Sequence, residues 1–284
     1  MKFSLSSTLT LTSGNQIPRF GLGVYKSTGQ ECSTAVAEAL RAGYRHIDSA
    51  QAYSNEELVG KAVVESGVSR PDVYLTTKYL PTAEAKSPKD VLSVLRHSLP
   101  KIDPSKEGPH IDLMLLHSAD GGAEGRANNW RALTEAQKEG WIHDIGVSNF
   151  NVNHFSTLPG PVPAVNQIEL HPWCQQRPIV EYCKQHNIAV EAYSPLARAD
   201  ERKWNDPVVV ELCKKHGKEP GQVVLRWGLQ KGFIVIPKSV NPSRIRSNAD
   251  IYDFELDTTD MEALDGLDQG AAGAVTWNPL DKYQ

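Results

Sequence analysis

Apolar and polar positions along this chain follow two rhythms that take turns. Short, mostly apolar runs predict strands over 20–25, 44–47, 73–78, 111–117, 144–148, 165–169, 188–193 and 233–237. Between them, apolar residues recur every three or four positions and predict helices over 28–42, 55–66, 87–99, 128–139, 178–186, 206–216, 220–230 and 242–249, with a short helix behind the 144–148 strand. Thr28 and Glu31 are spaced as a capping box for the first helix. The prolines at 88, 178, 207, 220 and 242 all fall where a first helical turn tolerates them. Ahead of this alternation, Leu9 and Leu11 alternate with threonines and Gly14-Asn15 turns the chain toward Ile17, which predicts a small hairpin.

Eight strand-plus-helix units with near-continuous apolar strands imply a parallel sheet buried on both faces. The expected class is therefore α/β, a (β/α)8 TIM barrel with an N-terminal β-hairpin and two extra helices; a doubly wound sheet is the alternative. No Gly/Ser-rich linker or composition shift divides the chain, so residues 1–284 are expected to form one domain. A hydrophobic content of 40% and a charged content of 23% suit an ordinary soluble protein with a sizeable core. A net charge of -4 argues against a nucleic-acid partner. The N-terminal stretch lacks the apolar run of a signal peptide, and no segment reaches membrane-span length, so a cytoplasmic protein is expected. The cysteines at 32, 174, 183 and 213 form no CxxC pair and are expected to be reduced, buried thiols, with no metal site.

Barrel enzymes place their chemistry at the C-terminal ends of strands. The predicted strand ends carry Asp48, Lys78, His117, Ser148-Asn149, Gln167 and Tyr193, nearly all polar after apolar runs. Singly, each has a bland explanation: a cap, a solvated lysine, a packed tyrosine. As a set they point to a site, to which Tyr53 belongs, five residues beyond Asp48. A phenol with a pKa near ~10 is a weak acid at neutral pH. A nearby Lys78 ammonium is expected to lower that value and make Tyr53 a proton donor, with Asp48 fixing the lysine. A neutral His117 would orient a carbonyl oxygen toward it. Lys238, Ser239 and Arg244 beside a helix that opens at Asn241-Pro242 form a candidate anion site. The GLG at 21–23 lacks the rest of a Rossmann fingerprint and reads as a strand-end turn.

These residues also carry a resemblance. GYRHIDSAQAYSNEELVG at 43–60, IGVSNF at 145–150 and IPKSVNPSRIRSN at 236–248 match, in order, the three signatures of the aldo-keto reductase family, with Lys78 and His117 between them. The resemblance spans about residues 15 to 268 and is similar to fungal NADPH-dependent ketone and aldehyde reductases. It implies a barrel that reduces an aldehyde or ketone with NADPH/NADP+, with Asp48, Tyr53, Lys78 and His117 as the catalytic tetrad. It further implies that Asp48, Ser148, Asn149 and Gln167 face the nicotinamide, that Tyr193 stacks on its ring and that Ser194, Pro195 and Leu196 border the pyrophosphate. Lys238, Ser239 and Arg244 would hold the 2′-phosphate, Asn248 would lie near the adenine, and Gly23 and Ile236 complete the cofactor lining. The substrate pocket would include Tyr25, Tyr53, Leu80, His117, Ser118 and Trp277. Ser118, Tyr25 and Leu80 depart from the aromatic residues common in relatives, which implies a roomier pocket and leans toward activated ketones or keto esters. Loop 197–206 is expected to be able to fold over the cofactor. A monomer is the family-typical expectation. Two other readings compete: a cofactor-binding relative with a regulatory or structural role, and an unrelated barrel aldolase or isomerase, which would leave Tyr53 unexplained.

Overall fold

The computed structural model describes residues 3–81, 87–106 and 108–276. Strands β1 (Thr8–Thr10) and β2 (Gln16–Pro18) form the expected hairpin, with Leu9 opposite Ile17. The main sheet runs through β3 (Leu22–Gly23), β4 (His46–Asp48), β5 (Tyr74–Tyr79), β6 (Ile111–Leu116) and β7 (Ile142–Ser148). It continues with β8 (Val165–Glu169), β9 (Ala189–Tyr193) and β10 (Ile234–Val235), each strand paired in parallel with its sequence neighbour. Phe20 bridges to Val235 and Gly23 to Lys238, so the last strand meets the first. Closure into a barrel leaves neither edge strand unpaired.

The crossovers are α1 (Gly29–Arg41), α2 (Glu56–Glu65), α3 (Pro88–Ile102), α4 (Gly122–Lys138), α5 (Val152–Phe155) and α6 (Arg177–Gln185). After β9 come the single turn α7 (Glu201–Trp204), then α8 (Pro207–His216) and α9 (Pro220–Gln230). Last are α10 (Pro242–Ala249) and α11 (Thr258–Asp265). Of the longer helices, α8 and α11 stand outside the β/α alternation and pack on each other. They are the two extra helices.

Strand side chains alternate with period two. Ile47, Leu75, Met114, Ile145 and Ile168 point outward into the large core beneath the helices, joined by Val36, Val59, Leu95 and Leu133. The alternate positions Tyr74, Leu113, Leu115, Val165 and Ile234 cluster instead with Leu11 and Ile17, so the hairpin plugs the N-terminal end of the barrel. Toward the other end the interior turns polar. Gly146 is required where strands crowd: a Cβ there would sit 2.6 Å from the Val165 carbonyl oxygen and 2.7 Å from a Leu115 methyl.

Some boundaries differ from the pattern-based expectation. The closing strands shrink to two residues each, because Pro237 has no N–H to extend the ladder past Val235. Helix α3 passes the expected end at Leu99 and carries Pro100 in its last turn. Helix α4 begins at Gly122 rather than 128, opened by Gly121 at φ 92, a conformation that makes the Gly-Gly pair a helix start and not a loop. The four cysteines are unpaired: Cys32, Cys174 and Cys183 are buried and Cys213 is half-buried.

Candidate active site

Four side chains converge at the C-terminal mouth of the barrel. Asp48 ends β4 and Lys78 is the inward-facing fifth residue of β5, fully buried. The Lys78 ammonium donates to Asp48 Oδ1 at 2.5 Å and to the Ser49 carbonyl at 2.7 Å. Tyr53 sits on a 3-10 turn, Gln51–Tyr53, that Ser54 closes at φ 55. Asn55 anchors that turn: it donates to the carbonyls of Val24 (2.9 Å) and Ser27 (3.0 Å) and accepts from the Ser49 hydroxyl (2.7 Å). The turn lays the Tyr53 ring 5.2 Å from Lys78 Nζ and brings its hydroxyl 3.5 Å from Nε2 of His117, just past β6. Tyr25 leans on the outer side of the phenol, ring centroids 5.0 Å apart.

Burial, and then the Lys78 charge, push the His117 pKa down to about 3, so the imidazole is neutral at working pH. Here the structure corrects an expectation. The Tyr53 pKa is raised well above its ordinary value, chiefly by burial and then by Asp48, Tyr25 and Glu191. The Lys78 ammonium, held by Asp48 and the Ser49 carbonyl, does not outweigh that burial. Tyr53 is therefore a firmly protonated hydroxyl.

Glu191 is a member of this interior that the sequence reading passed over. It is completely buried on β9, and its carboxyl oxygens have no close hydrogen-bond partner among the described residues. Burial first, then Asp48, drives its pKa up to about 8. His46 Nε2 lies 3.7 Å away, but burial lowers the His46 pKa to about 4. The contact has the spacing of an ion pair, yet both partners are neutral near pH 7. The signal was present in the sequence: Glu191 stands two positions before Tyr193 and so faces the same way.

A belt of amides and hydroxyls links the tetrad to the next strands. Gln167 Nε2 donates to Asp48 Oδ2 (2.8 Å), and Ser148 Oγ donates to the Gln167 carbonyl (2.9 Å). Asn149 Nδ2 donates to the His117 carbonyl (3.1 Å), and the Tyr193 hydroxyl donates to Asn149 Oδ1 (3.0 Å). Beyond β9 the backbone is left-handed at Ser194 (φ 48), Ala197 (φ 47), Arg198 (φ 55) and Ala199 (φ 54). Such strain costs about 1 kcal/mol or more per residue and concentrates at functional sites. Segment 197–206 is not an open loop: Ala197 is buried, and the Trp204 indole of α7 donates to the Leu196 carbonyl at 3.0 Å.

Across the mouth, Gly23 abuts Ile236, whose carbonyl oxygen lies 3.1 Å from where a Cβ would be. Lys238 and Arg244 are exposed at the start of α10 and, among the described residues, neither side chain has a hydrogen-bond or carboxylate partner. Asn241 already caps Ser243 N and Arg244 N, so an anion there would be held by side chains rather than by those amides. Of the expected pocket residues, Tyr25 is 46% exposed and Leu80 is half-buried at the end of β5. Ser118 is fully buried and its hydroxyl donates to Asp120 Oδ2 at 2.8 Å, so it shapes the following loop instead of facing a guest. Trp277 lies outside the described residues. The chain reaches the mouth at Thr276 nonetheless: Glu169, a second acid that the sequence reading missed, accepts from the amides of Val275 (2.5 Å) and Thr276 (3.1 Å).

Residues 19–269 match the model of the aldo/keto reductase family. The chain belongs to that family. It is 41% identical to methylglyoxal reductase DkgA of Escherichia coli (strain K12) over 93% of this chain and 94% of that protein. It is also 41% identical to an aldo-keto reductase of Mycolicibacterium smegmatis over 94% of this chain and 95% of that protein. Among solved structures it is similar to a Gox0644 variant in complex with NADPH, with a TM-score of 0.88 and 36% identity over 97% of this chain and 98% of that one. As an aldo/keto reductase the chain is an NADP-dependent oxidoreductase of carbonyl groups, and NADPH/NADP+ is its cofactor.

The residues present fit that cofactor. Two unpartnered cations beside Ser239 suit a phosphate. Gly221 brings the α9 backbone close to Leu196 and Asn248, the residues expected to border the pyrophosphate and the adenine. The Ser148, Asn149 and Gln167 belt has the donors and acceptors a carboxamide needs.

Proposed function

We propose that this reductase converts a small activated carbonyl compound, a 2-oxoaldehyde or a keto ester, to the alcohol, and that Tyr53 is its proton donor. The observation that carries this reading is the meeting of the Tyr53 hydroxyl and neutral His117 at 3.5 Å above the Lys78–Asp48 pair. Bound NADPH supplies a hydride. The protein supplies everything else. His117 and Tyr53 both reach a carbonyl oxygen placed between them, the imidazole orienting it and the phenol donating the proton. Lys78, held by Asp48, puts positive charge beneath the phenol and favours the phenolate left behind. Tyr193 and the Ser148–Asn149–Gln167 belt hold the nicotinamide end, and Lys238, Ser239 and Arg244 hold the far phosphate. Ser194, Pro195, Leu196, Asn248, Gly23 and Ile236 line the stretch between. The substrate class rests on the methylglyoxal reductase relatives and on a mouth walled by Tyr25 and Leu80. A non-catalytic role has no observation in its favour.

The test follows NADPH absorbance with methylglyoxal, a keto ester, simple aldehydes and sugars. Turnover is expected with the first two and is expected to fall about 100-fold or more in Tyr53→Phe, with NADPH affinity retained. A variant that keeps most of its activity would remove Tyr53 from the chemistry; activity on sugars alone would overturn the substrate class.

A further inference from the structure

The base of the barrel, opposite the mouth, carries a second constellation. His110 precedes β6, Asp112 is the second residue of that strand, and His143 is the second residue of β7. The parallel pairing of Ile111 with Ile142 and of Leu113 with Asp144 sets Asp112 alongside His143. One ring nitrogen from each histidine and one oxygen of Asp112 lie within 4.8 Å of one another. His110 Nε2 is 3.5 Å and His143 Nδ1 is 3.9 Å from Asp112 Oδ1, and the two imidazoles stack at 4.2 Å.

The hydrogen bonds around this cluster occupy its outer atoms and leave the inner ones facing each other. His110 Nδ1 lies 2.9 Å from the Gly108 carbonyl, which can only accept, so Nδ1 carries a proton and Nε2 is the ring nitrogen that faces Asp112. Asp112 Oδ2 is taken by Arg70 Nη2 (2.8 Å) and the Leu75 amide (2.9 Å), which leaves Oδ1 facing the two rings. Two ring nitrogens and a carboxylate oxygen thus converge on one point, which a proton on His110 or a cation can occupy. A carbonyl bonded to the far nitrogen of a histidine is also the arrangement that orients metal-binding imidazoles.

The adjoining space asks for a polar occupant as well. Asp112, His143, Asp144 and Tyr74 line a cavity of about 190 Å3. Asp144 is 1% exposed, and its Oδ1 and the buried Tyr74 hydroxyl have no hydrogen-bond partner among the described residues. Asp144 Oδ2 accepts from Asn15 Nδ2 of the hairpin turn at 2.9 Å. Asp103 holds Arg70 at 2.9 Å, so two carboxylates offset the one nearby guanidinium.

We propose that His110, Asp112 and His143 bind a divalent d-block cation of the zinc type, with a water toward Asp144 in the fourth position. Two imidazoles and a carboxylate are a normal donor set for such an ion. A tetrahedral site with bonds of about 2.1 Å spaces its ligand atoms about 3.4 Å apart, so the cluster closes by rotation of the exposed His143. The ion would staple β6 to β7 and, through Asp144 and Asn15, to the plugging hairpin. The expectation of no metal came from cysteine spacing and does not bear on a histidine–carboxylate site.

The experiment titrates metal-free protein with zinc chloride by calorimetry in wild type, His143→Gln and, as a surface-histidine control, His97→Gln. Wild type and the control are expected to bind one ion with a Kd of about 10 µM or lower, and His143→Gln at least about tenfold more weakly. Carbonyl reductase activity should be the same in all three. Equal binding in wild type and His143→Gln, or no binding in wild type below about 100 µM, overturns the proposal. Anomalous diffraction at the zinc edge from soaked wild-type crystals needs no variant: a peak between the two imidazoles supports the site, and a peak elsewhere or none refutes it.

Discussion

His117 illustrates how one residue's surroundings set its chemistry. Its ring is enclosed by the mouth of the barrel, and Lys78 lies beneath, so protonation is opposed both by burial and by a like charge. With its pKa near 3, the imidazole takes up no proton as pH falls through the ordinary histidine range. The kcat/KM profile for reduction should therefore show no acid limb centred near 6.5 between about pH 5 and 8. A limb there that disappears in His117→Asn would mean that the imidazole titrates and acts as an acid. Tyr53 is enclosed in the same way, but its pKa moves up, because for a phenol the neutral form is the protonated one. Sequence alone located both groups and the pairing of Lys78 with Asp48, which the 2.5 Å contact shows. What it did not weigh was the burial of the phenol, which raises the Tyr53 pKa and is set by packing rather than by the pattern of strand ends.

At the scale of elements, helix starts were the most legible features. Thr28, Ser87 and Asn241 cap α1, α3 and α10 at the starts predicted for those helices. The barrel's closing strands were least legible, because Phe20 and Val235 are joined by an isolated bridge that pattern alone extends into a strand. Buried acids escaped for a related reason: Glu169 ends one predicted strand and Glu191 interrupts another, and only the alternation of faces marks them as interior. Helix α10 carries its own prediction. Its start presents Arg244 and Lys238 with no partner among the described residues, while Asn241 occupies its first amides. Replacing Arg244 by alanine should weaken NADPH binding by about 10- to 100-fold, the value of one charge-assisted contact, and leave NADH binding unchanged. Fluorescence titration with both cofactors measures it. Equal losses for the two would show that α10 does not read the 2′-phosphate.

Three groups sealed in the barrel make a defined contribution to the molecule's response to pH. His46 and His117 have folded pKa values of about 4 and about 3, below the ordinary 6.5. Their contribution to stability is complete above 6.5 and is lost as pH falls toward those values, since only the unfolded chain takes up the protons. Glu191 works the other way. Its folded pKa of about 8 exceeds the ordinary 4.5, so its contribution is complete below 4.5 and is lost as pH rises toward 8. Each group contributes a slope of up to roughly 1.4 kcal/mol per pH unit within its window. Between 4.5 and 6.5 two histidines oppose one glutamate and stability rises with pH; above 6.5 the glutamate acts alone and stability falls. These three groups thus place their joint optimum near pH 6.5. Glu191→Gln keeps the shape of the side chain and removes the titration. The difference in melting temperature, variant minus wild type, should grow steadily from pH 5 to pH 8. A difference that stays constant over that range would mean that Glu191 is ionised in the folded barrel, with Lys78 then shared between two carboxylates.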